Sequence, residues 1–264
     1  METIIDREFG GERPLYNKHG LRLENVTIHA GESSIKEGSD IEAHRCRFEG
    51  KYVFWCCENF LAADCHFTEG ARSSLWHSRG MELRDCRQEA PKMFRESADI
   101  RLRNVAMPHA QETFWSCDGI DIENVEAHEA DYIFMHCSNI KVRNLKLFGN
   151  YSFQHTKNVE IHDSDLQSKD SFWETENVTV YDSFINGEYL GWHPRRVHIR
   201  DDGASGGDRA RNGAARDVQP PDTPRPARRR TREGVAGEPA RGRWRRPHEG
   251  RGQVDERGDE RYEA

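Results

Sequence analysis

The 264-residue chain is short of apolar residues: 35% are hydrophobic and 32% are charged, and the mean hydropathy is -0.94. An ordinary globular domain carries more apolar residues, so we expect a thin core, an unfolded segment, or both. No apolar run approaches the length of a membrane span, so no membrane-spanning helix is predicted. The first ten residues, METIIDREFG, lack the basic and then apolar segments of a secretory signal.

The chain also lacks an excess of basic residues and an even number of cysteines that could all pair as disulfides. The net charge of -7 argues against a nucleic-acid partner. The seven cysteines are an odd number in a chain without an export signal, which is typical of reduced thiols in the cytoplasm. They form no Cys-x-x-Cys pair. We therefore expect a cytoplasmic protein, and the sequence predicts no cofactor and no metal.

A repeat of about twenty residues fills most of the chain. In each copy, apolar residues stand at the first position and two, five and seven residues later, and such alternation is typical of strands. Steps of 19 to 21 residues separate the ten copies. They start at Leu21, Ile41, Phe60, Met81, Ile100, Ile120, Ile140, Val159, Val178 and Val197.

Two sets of Asn, Asp and Gly residues flank the strands of each copy. Asn or Asp usually stands four residues after the start, as at Asn25 and Asp64, and Gly, Asn or Asp usually stands just before it. These residues tolerate left-handed backbone, so they predict bends. A third short strand is predicted upstream of the start, as at 53–55, 74–76, 113–115 and 171–173.

This pattern predicts an all-β fold, a single-stranded right-handed parallel β-helix of about ten coils, stacked at roughly 4.8 Å. Three other repeat architectures fit the sequence less well. Leucine-rich repeats place their Asn one residue later than this chain does. Helical repeats need a hydrophobic period of 3.6 residues, and pentapeptide solenoids need apolar residues at every fifth position. We predict an N-terminal cap segment at 1–20, the β-helix at 21–200 and a disordered tail at 201–264.

The tail is rich in Arg, Gly and Pro, and it has no Leu, Ile, Phe, Met, Cys or Lys. Such a composition cannot bury a core. It also resembles a GC-rich gene read out of frame, so one hypothesis is a frameshift near residue 200. A solenoid that loses its last coils exposes an unpaired edge, which predicts end-to-end self-association through the C-terminal coil.

Stacked coils place equivalent residues in columns. One column is predicted inside the core and contains Ile35, Phe54, Leu75, Phe94, Phe114, Phe134, Phe153, Phe172 and Gly191. The next residue of each coil is then predicted outside, which gives a face with Trp55, Trp76, Trp115, Trp173 and Trp192. These tryptophans are our candidate substrate-binding residues, as a platform for sugar rings. The alternative is that they pack against their neighbours and support the sheet.

The following column holds the candidate catalytic residues. His77 and Glu96, with Arg95 beside them, form the best acid–base cluster, because a histidine beside a carboxylate titrates near neutrality. His136, His155, Glu174 and His193 stand on successive coils, where metal ligation is conceivable. A ladder of hydrogen-bonded polar groups is the favoured alternative, and no metal is assigned.

Several segments resemble a known family: EFGGERPLY at 8–16, EGARSSLWHS at 69–78, APKMFRES at 90–97, GNYSFQH at 149–155 and SFWETENVTVYDS from 171. The chain resembles, over about residues 7–200, an uncharacterised bacterial domain-of-unknown-function family of pectin-lyase-like right-handed β-helices. The resemblance brings no catalytic residues. At the superfamily level it implies polysaccharide lyase or glycoside hydrolase activity.

The sequence departs from those enzymes. The one Asp-Asp pair is Asp201-Asp202, where the repeat ends, and the constant step leaves no room for the long loops that build a cleft. Two functions remain open. The first is binding or processing of a carbohydrate polymer on the Trp-rich face, and the alternative is a non-catalytic structural or protein-interaction scaffold.

Overall fold

Short strands joined by single left-handed residues make up the protein. The computed structural model describes residues 1–200; the predicted tail and the frameshift hypothesis lie outside the described residues. A 3-10 turn spans Glu69–Ala71. The strands are β1 (Glu2–Ile5), β2 (Glu8–Glu12), β3 (His19–Glu24), β4 (Thr27–Glu32), β5 (Ser39–His44), β6 (Arg47–Phe48), β7 (Glu58–Ala63), β8 (His66–Phe67), β9 (Arg79–Arg84), β10 (Arg87–Gln88), β11 (Ala98–Met107), β12 (Asp118–Ala127), β13 (Ser138–Gly149), β14 (Lys157–His162), β15 (Asp165–Ser168), β16 (Asp170–Ser171), β17 (Glu176–Tyr181), β18 (Phe184–Asn186), β19 (Tyr189–Leu190) and β20 (Arg195–Arg200).

Every pairing between these strands is parallel and joins one coil to the next. Leu21 lies opposite Ile41, Ile41 opposite Phe60, and the row continues without a slip to Val197. The ten predicted start residues are therefore register partners, and the predicted all-β parallel solenoid of about ten coils is confirmed. Strand β1 pairs with β3 and β2 with β4, so residues 1–20, predicted as a cap segment, form a coil of the same kind.

The Asn and Asp columns bend the chain as predicted. Asn124 and Asn158 have φ values of 56° and 54°, in the left-handed region. Their side chains bond from coil to coil: Asn124 Nδ2 donates to Asn104 Oδ1 at 2.9 Å, and Asn158 Nδ2 to Asn139 Oδ1 at 3.0 Å. These bonds stabilise a backbone conformation that is costly for most residues.

The predicted third strand is not regular. Residues 53–55 and 74–76 lie mostly in turns and bends, and the segment becomes a strand only where β16 pairs with β19. The physical reason is further left-handed backbone in this segment. Phe114 (φ 58°) and Ser116 (φ 54°) are left-handed, and around residues 53–55 the left-handed residues are Tyr52 (φ 58°) and Cys56 (φ 55°). Backbone bonds between coils persist there: Phe134 N donates to Thr113 O at 3.0 Å.

The predicted inner column is buried from Ile35 to Phe172, and its last predicted member, Gly191, is half-buried. Its phenylalanines are 0% exposed, and Phe94, Phe114 and Phe134 stack nearly parallel, with ring centroids 4.6 and 4.8 Å apart. The thiols of Cys46, Cys65, Cys86, Cys57, Cys117 and Cys137 also lie in the core. The solenoid therefore buries one narrow apolar core of like residues stacked on like. No helix among residues 1–200 combines the length and the apolar character needed to cross a bilayer.

We predict that Phe114→Ala lowers the free energy of unfolding by about 3 to 5 kcal/mol, because it opens a cavity in the stack. The exposed Phe184 (53%) supplies the control, and Phe184→Ala is expected to change stability by less than about 1 kcal/mol. Chemical denaturation followed by tryptophan fluorescence measures both. Equal midpoints for the two variants would contradict a stacked core.

Candidate functional site

The residue after each inner-column residue is half-buried or exposed, except for Gln154, which is buried. We call this set the tryptophan column. Trp55, Trp76 and Trp115 are half-buried, whereas Trp173 and Trp192 are 38% and 54% exposed. The outward placement of these tryptophans matches the prediction. In chain order the members are Lys36, Trp55, Trp76, Arg95, Trp115, Met135, Gln154, Trp173 and Trp192.

In the first half of the tryptophan column the ring faces are covered. Trp55 stacks on Trp76, with centroids 5.1 Å apart and planes at 29°. The guanidinium of Arg95 lies between the rings of Trp76 and Trp115, 4.5 Å from each centroid. A sugar stacks on an exposed ring face, and these rings turn their faces to one another.

Further bonds hold this arrangement in place. The indole Nε1 atoms of Trp76 and Trp115 donate to the carbonyl oxygens of Lys92 and Tyr132, each at 2.7 Å. Arg95 lies 3.5 Å from Glu112 Oε2. A cation between two aromatic rings beside a carboxylate is a favourable electrostatic arrangement, so this half of the column stabilises the fold.

His77 and Glu96 lie close together in the structure, but the side chain of Arg95 makes its contacts with other residues. His77 Nδ1 lies 3.3 Å from Glu96 Oε2, and the two side chains are 39% and 59% exposed. Arg95 contacts Glu112 and the two indoles. A single ion pair open to water lacks the enclosed site that acid–base catalysis on a sugar requires. The catalytic assignment of His77, Arg95 and Glu96 stays a prediction.

The histidines on later coils form a row. The rings of His136 and His155 stack at 4.6 Å, and His155 Nδ1 lies 3.2 Å from Glu174 Oε2. Partial burial lowers the pKa of His136, and the neighbouring His155 lowers it further. Within residues 1–200 no three His, Cys, Asp or Glu side chains are grouped so as to bind a metal.

The second half of the tryptophan column is open. The rings of Trp173 and Trp192 lie 6.1 Å apart with their planes splayed at 46°. They line a pocket of about 290 Å³ with Asp170, Tyr189, Ser171 and Gly191. We call this the terminal aromatic pocket. Its aromatic surfaces and few polar groups are typical of a small-ligand site.

Two adjacent coils build the terminal aromatic pocket. Strand β16 pairs with β19, which sets Asp170 opposite Tyr189. Sequence reasoning selected Trp173 and Trp192 but missed Asp170 and Tyr189. A signal for them existed, because each precedes its tryptophan by three residues in coils that are 19 residues apart.

A longer, shallower groove of about 710 Å³ crosses the coils on another face. It runs along β5, β7, β9, β11, β12 and β13. Five carboxylates line it, against two basic side chains: Asp40, Glu42, Glu82, Asp99 and Asp121, with Arg101 and Lys141. Phe60 is its one aromatic lining residue, so it lacks the paired indoles that distinguish the terminal aromatic pocket.

Strand register and side-chain columns define the protein as a parallel β-solenoid with an outward column of tryptophans. The chain belongs to the family described as a protein of unknown function, DUF3737, whose match spans residues 2–202. Membership of a domain-of-unknown-function family is therefore confirmed. The match names no superfamily, so the pectin-lyase-like resemblance stays a prediction.

Solved structures of low identity resemble this chain. Full-length QnrB1, a plasmid-mediated fluoroquinolone resistance protein, is 13% identical, with 76% of this chain and 94% of that chain covered and a TM-score of 0.31. PfbA, a surface adhesin of Streptococcus pneumoniae, is 8% identical, with 79% and 65% covered and a TM-score of 0.26. Similarities this distant carry no argument about function. No curated protein matches the sequence.

We predict that Arg95→Ala destabilises the solenoid by about 1 to 2 kcal/mol, because Trp76 and Trp115 lose the cation between them. The exposed Arg101, on the same coil, supplies a matched control, and Arg101→Ala is expected to stay within about 0.5 kcal/mol of the wild type. Thermal and chemical unfolding measure the difference. If both arginines proved equally dispensable, the packing role of Arg95 would be refuted.

Proposed function

We propose that the protein is a non-catalytic carbohydrate-binding solenoid that receives a sugar ring in the terminal aromatic pocket. The observation that carries the proposal is the pocket of about 290 Å³ that the exposed Trp173 and Trp192 line. An indole face packs against the apolar C–H face of a pyranose, while a few polar groups fix its hydroxyls. Asp170 and Tyr189 supply such groups in its lining.

Distance separates this pocket from the candidate acid–base pair. Trp76, beside His77, and Trp173 are five coils apart in the tryptophan column. At the ordinary strand spacing of about 4.8 Å, five coils span about 24 Å. A sugar ring held in the terminal aromatic pocket is out of reach of His77 and Glu96. These positions support binding without turnover.

We predict that Trp192→Ala weakens oligosaccharide binding at least tenfold, because it removes one of the two ring faces. Phe184→Ala is the control, since Phe184 is an exposed aromatic near the same end that does not line the pocket. A glycan array followed by calorimetry on the best ligand measures both variants. Glu96→Gln is expected to leave affinity unchanged, and no product is expected with the wild type.

The proposal fails if Trp192→Ala binds as tightly as the wild type. It also fails if the wild type converts the ligand and Glu96→Gln abolishes the conversion, because that result would identify an enzyme acting through the first half of the tryptophan column.

A second candidate function is a protein-interaction scaffold, favoured by the ends of the described solenoid. Within residues 1–200, β1 pairs only with β3 and β20 only with β17. A strand edge that no other strand covers can pair with the edge of a second copy in a head-to-tail stack. On this proposal, sedimentation velocity shows concentration-dependent assembly, and Trp76→Ala affects stability alone. A concentration-independent monomer would exclude it.

A further inference from the structure

We propose that the terminal aromatic pocket selects a cationic amino sugar over neutral sugars and uronic acids. Asp170 is the ion partner of the sugar ammonium, and Trp173 and Trp192 supply the ring faces. This inference rests on the proposed carbohydrate-binding function and deepens it by naming the class of sugar.

The first half of the tryptophan column shows how the fold holds a cation. Arg95 is an outward member of that column, and its guanidinium lies 4.5 Å from the ring centroids of Trp76 and Trp115. The carboxylate of Glu112 lies 3.5 Å from it. Two indoles thus flank the guanidinium, and the Glu112 carboxylate pairs both with it and with Lys92, which also lies at 3.5 Å.

The terminal aromatic pocket likewise brings two indoles and one carboxylate together, and its lining residues include no basic side chain. Glu112 precedes Trp115 by three residues, and Asp170 precedes Trp173 by three residues. The carboxylates therefore occupy equivalent places in their coils. Trp173 and Trp192 lie on adjacent coils, 6.1 Å apart, without the intervening coil that carries Arg95, so the ligand takes the open volume of about 290 Å³ beside the two rings rather than the space between them. That volume is at the lower end for ligand pockets and suits one sugar ring.

The charges around the terminal aromatic pocket favour a positive ligand. Asp170 is its one charged lining residue. The nearest lysine in sequence, Lys169, is paired with Glu188 at 3.5 Å, and its electrostatic interaction with Asp170 is weaker than that with Glu188. His193 packs against Trp192, with ring centroids 5.6 Å apart. Residues 1–200 as a whole carry 33 acidic and 24 basic side chains.

These charges set the expected order of ligands. A sugar ammonium gains an ion pair with Asp170 and a cation–π contact with an indole face. A uronate carboxylate meets the like charge of Asp170 and loses affinity. A neutral or N-acetylated sugar keeps the stacking contact alone and falls between them.

The test uses the full chain and three oligosaccharide probes of equal length: a glucosamine oligomer, the same oligomer N-acetylated, and a galacturonate oligomer. Calorimetry is expected to show the free amine binding at least tenfold more tightly than its N-acetylated form, and the uronate most weakly. Asp170→Asn is expected to abolish this preference while retaining the N-acetylated ligand. Glu174→Gln, which removes a carboxylate outside the pocket lining, is the matched control and is expected to keep the preference.

The possible failures are distinguishable. If the N-acetylated and free-amine oligomers bind equally and Asp170→Asn changes neither, the amino-sugar assignment is wrong and the carbohydrate function stands. If no sugar binds but an arginine-containing peptide does, and Asp170→Asn abolishes that binding, both the function and the amino-sugar assignment are overturned. If Glu174→Gln loses the preference as fully as Asp170→Asn, the selectivity comes from overall charge, and the role of Asp170 is refuted.

Discussion

The backbone bond between one coil and the next is the constraint on which the rest of the structure depends. Ile35 N donates to Val53 O at 3.0 Å, and Phe134 N donates to Thr113 O at the same distance, although neither segment is a regular strand. Because each coil must meet the next in register, the step cannot drift far from twenty residues. Every side chain therefore stacks on its equivalent, and the columns follow from the backbone.

Closing a coil in so few residues requires left-handed backbone at several bends, which is costly for residues other than glycine. At two of the bends, Asn and Asp offset that cost by hydrogen bonding from coil to coil, as Asn144 does to Asn124 at 2.7 Å. At the inner column the bend falls on bulky residues, such as Phe134 with φ 61°. There the stacked, fully buried rings supply the compensation.

The sequence was sufficient for the parts of the fold that depend on periodicity. Leu21 through Val197 could be aligned because a strand shows alternation and the step is almost constant. The third strand was wrong because nothing in the residue type Phe signals a left-handed backbone, which aromatic residues rarely adopt. That conformation is imposed by neighbouring coils, so it appears only in three dimensions.

The candidate site was also predictable only in part from the sequence. Alternation correctly placed Trp76 and Trp115 outside, but it says nothing about which way an indole turns. The indoles turn their faces along the solenoid because Arg95 and the carbonyl groups of Lys92 and Tyr132 bind them there. Asp170 and Tyr189 were missed because each becomes part of a site only through the register between β16 and β19.

The tryptophan column thus has two roles, structural support and ligand binding. The role of each tryptophan depends on which residues its neighbouring coils place beside it. Along the first half, Trp55 and Arg95 flank the ring of Trp76, and the cation between Trp76 and Trp115 belongs to the chain. At the last described coils, the planes of Trp173 and Trp192 splay to 46°, and the two residues line an open pocket of about 290 Å³. A ring that the chain itself covers on both faces supports the fold, whereas the rings that line an open pocket are available to a ligand.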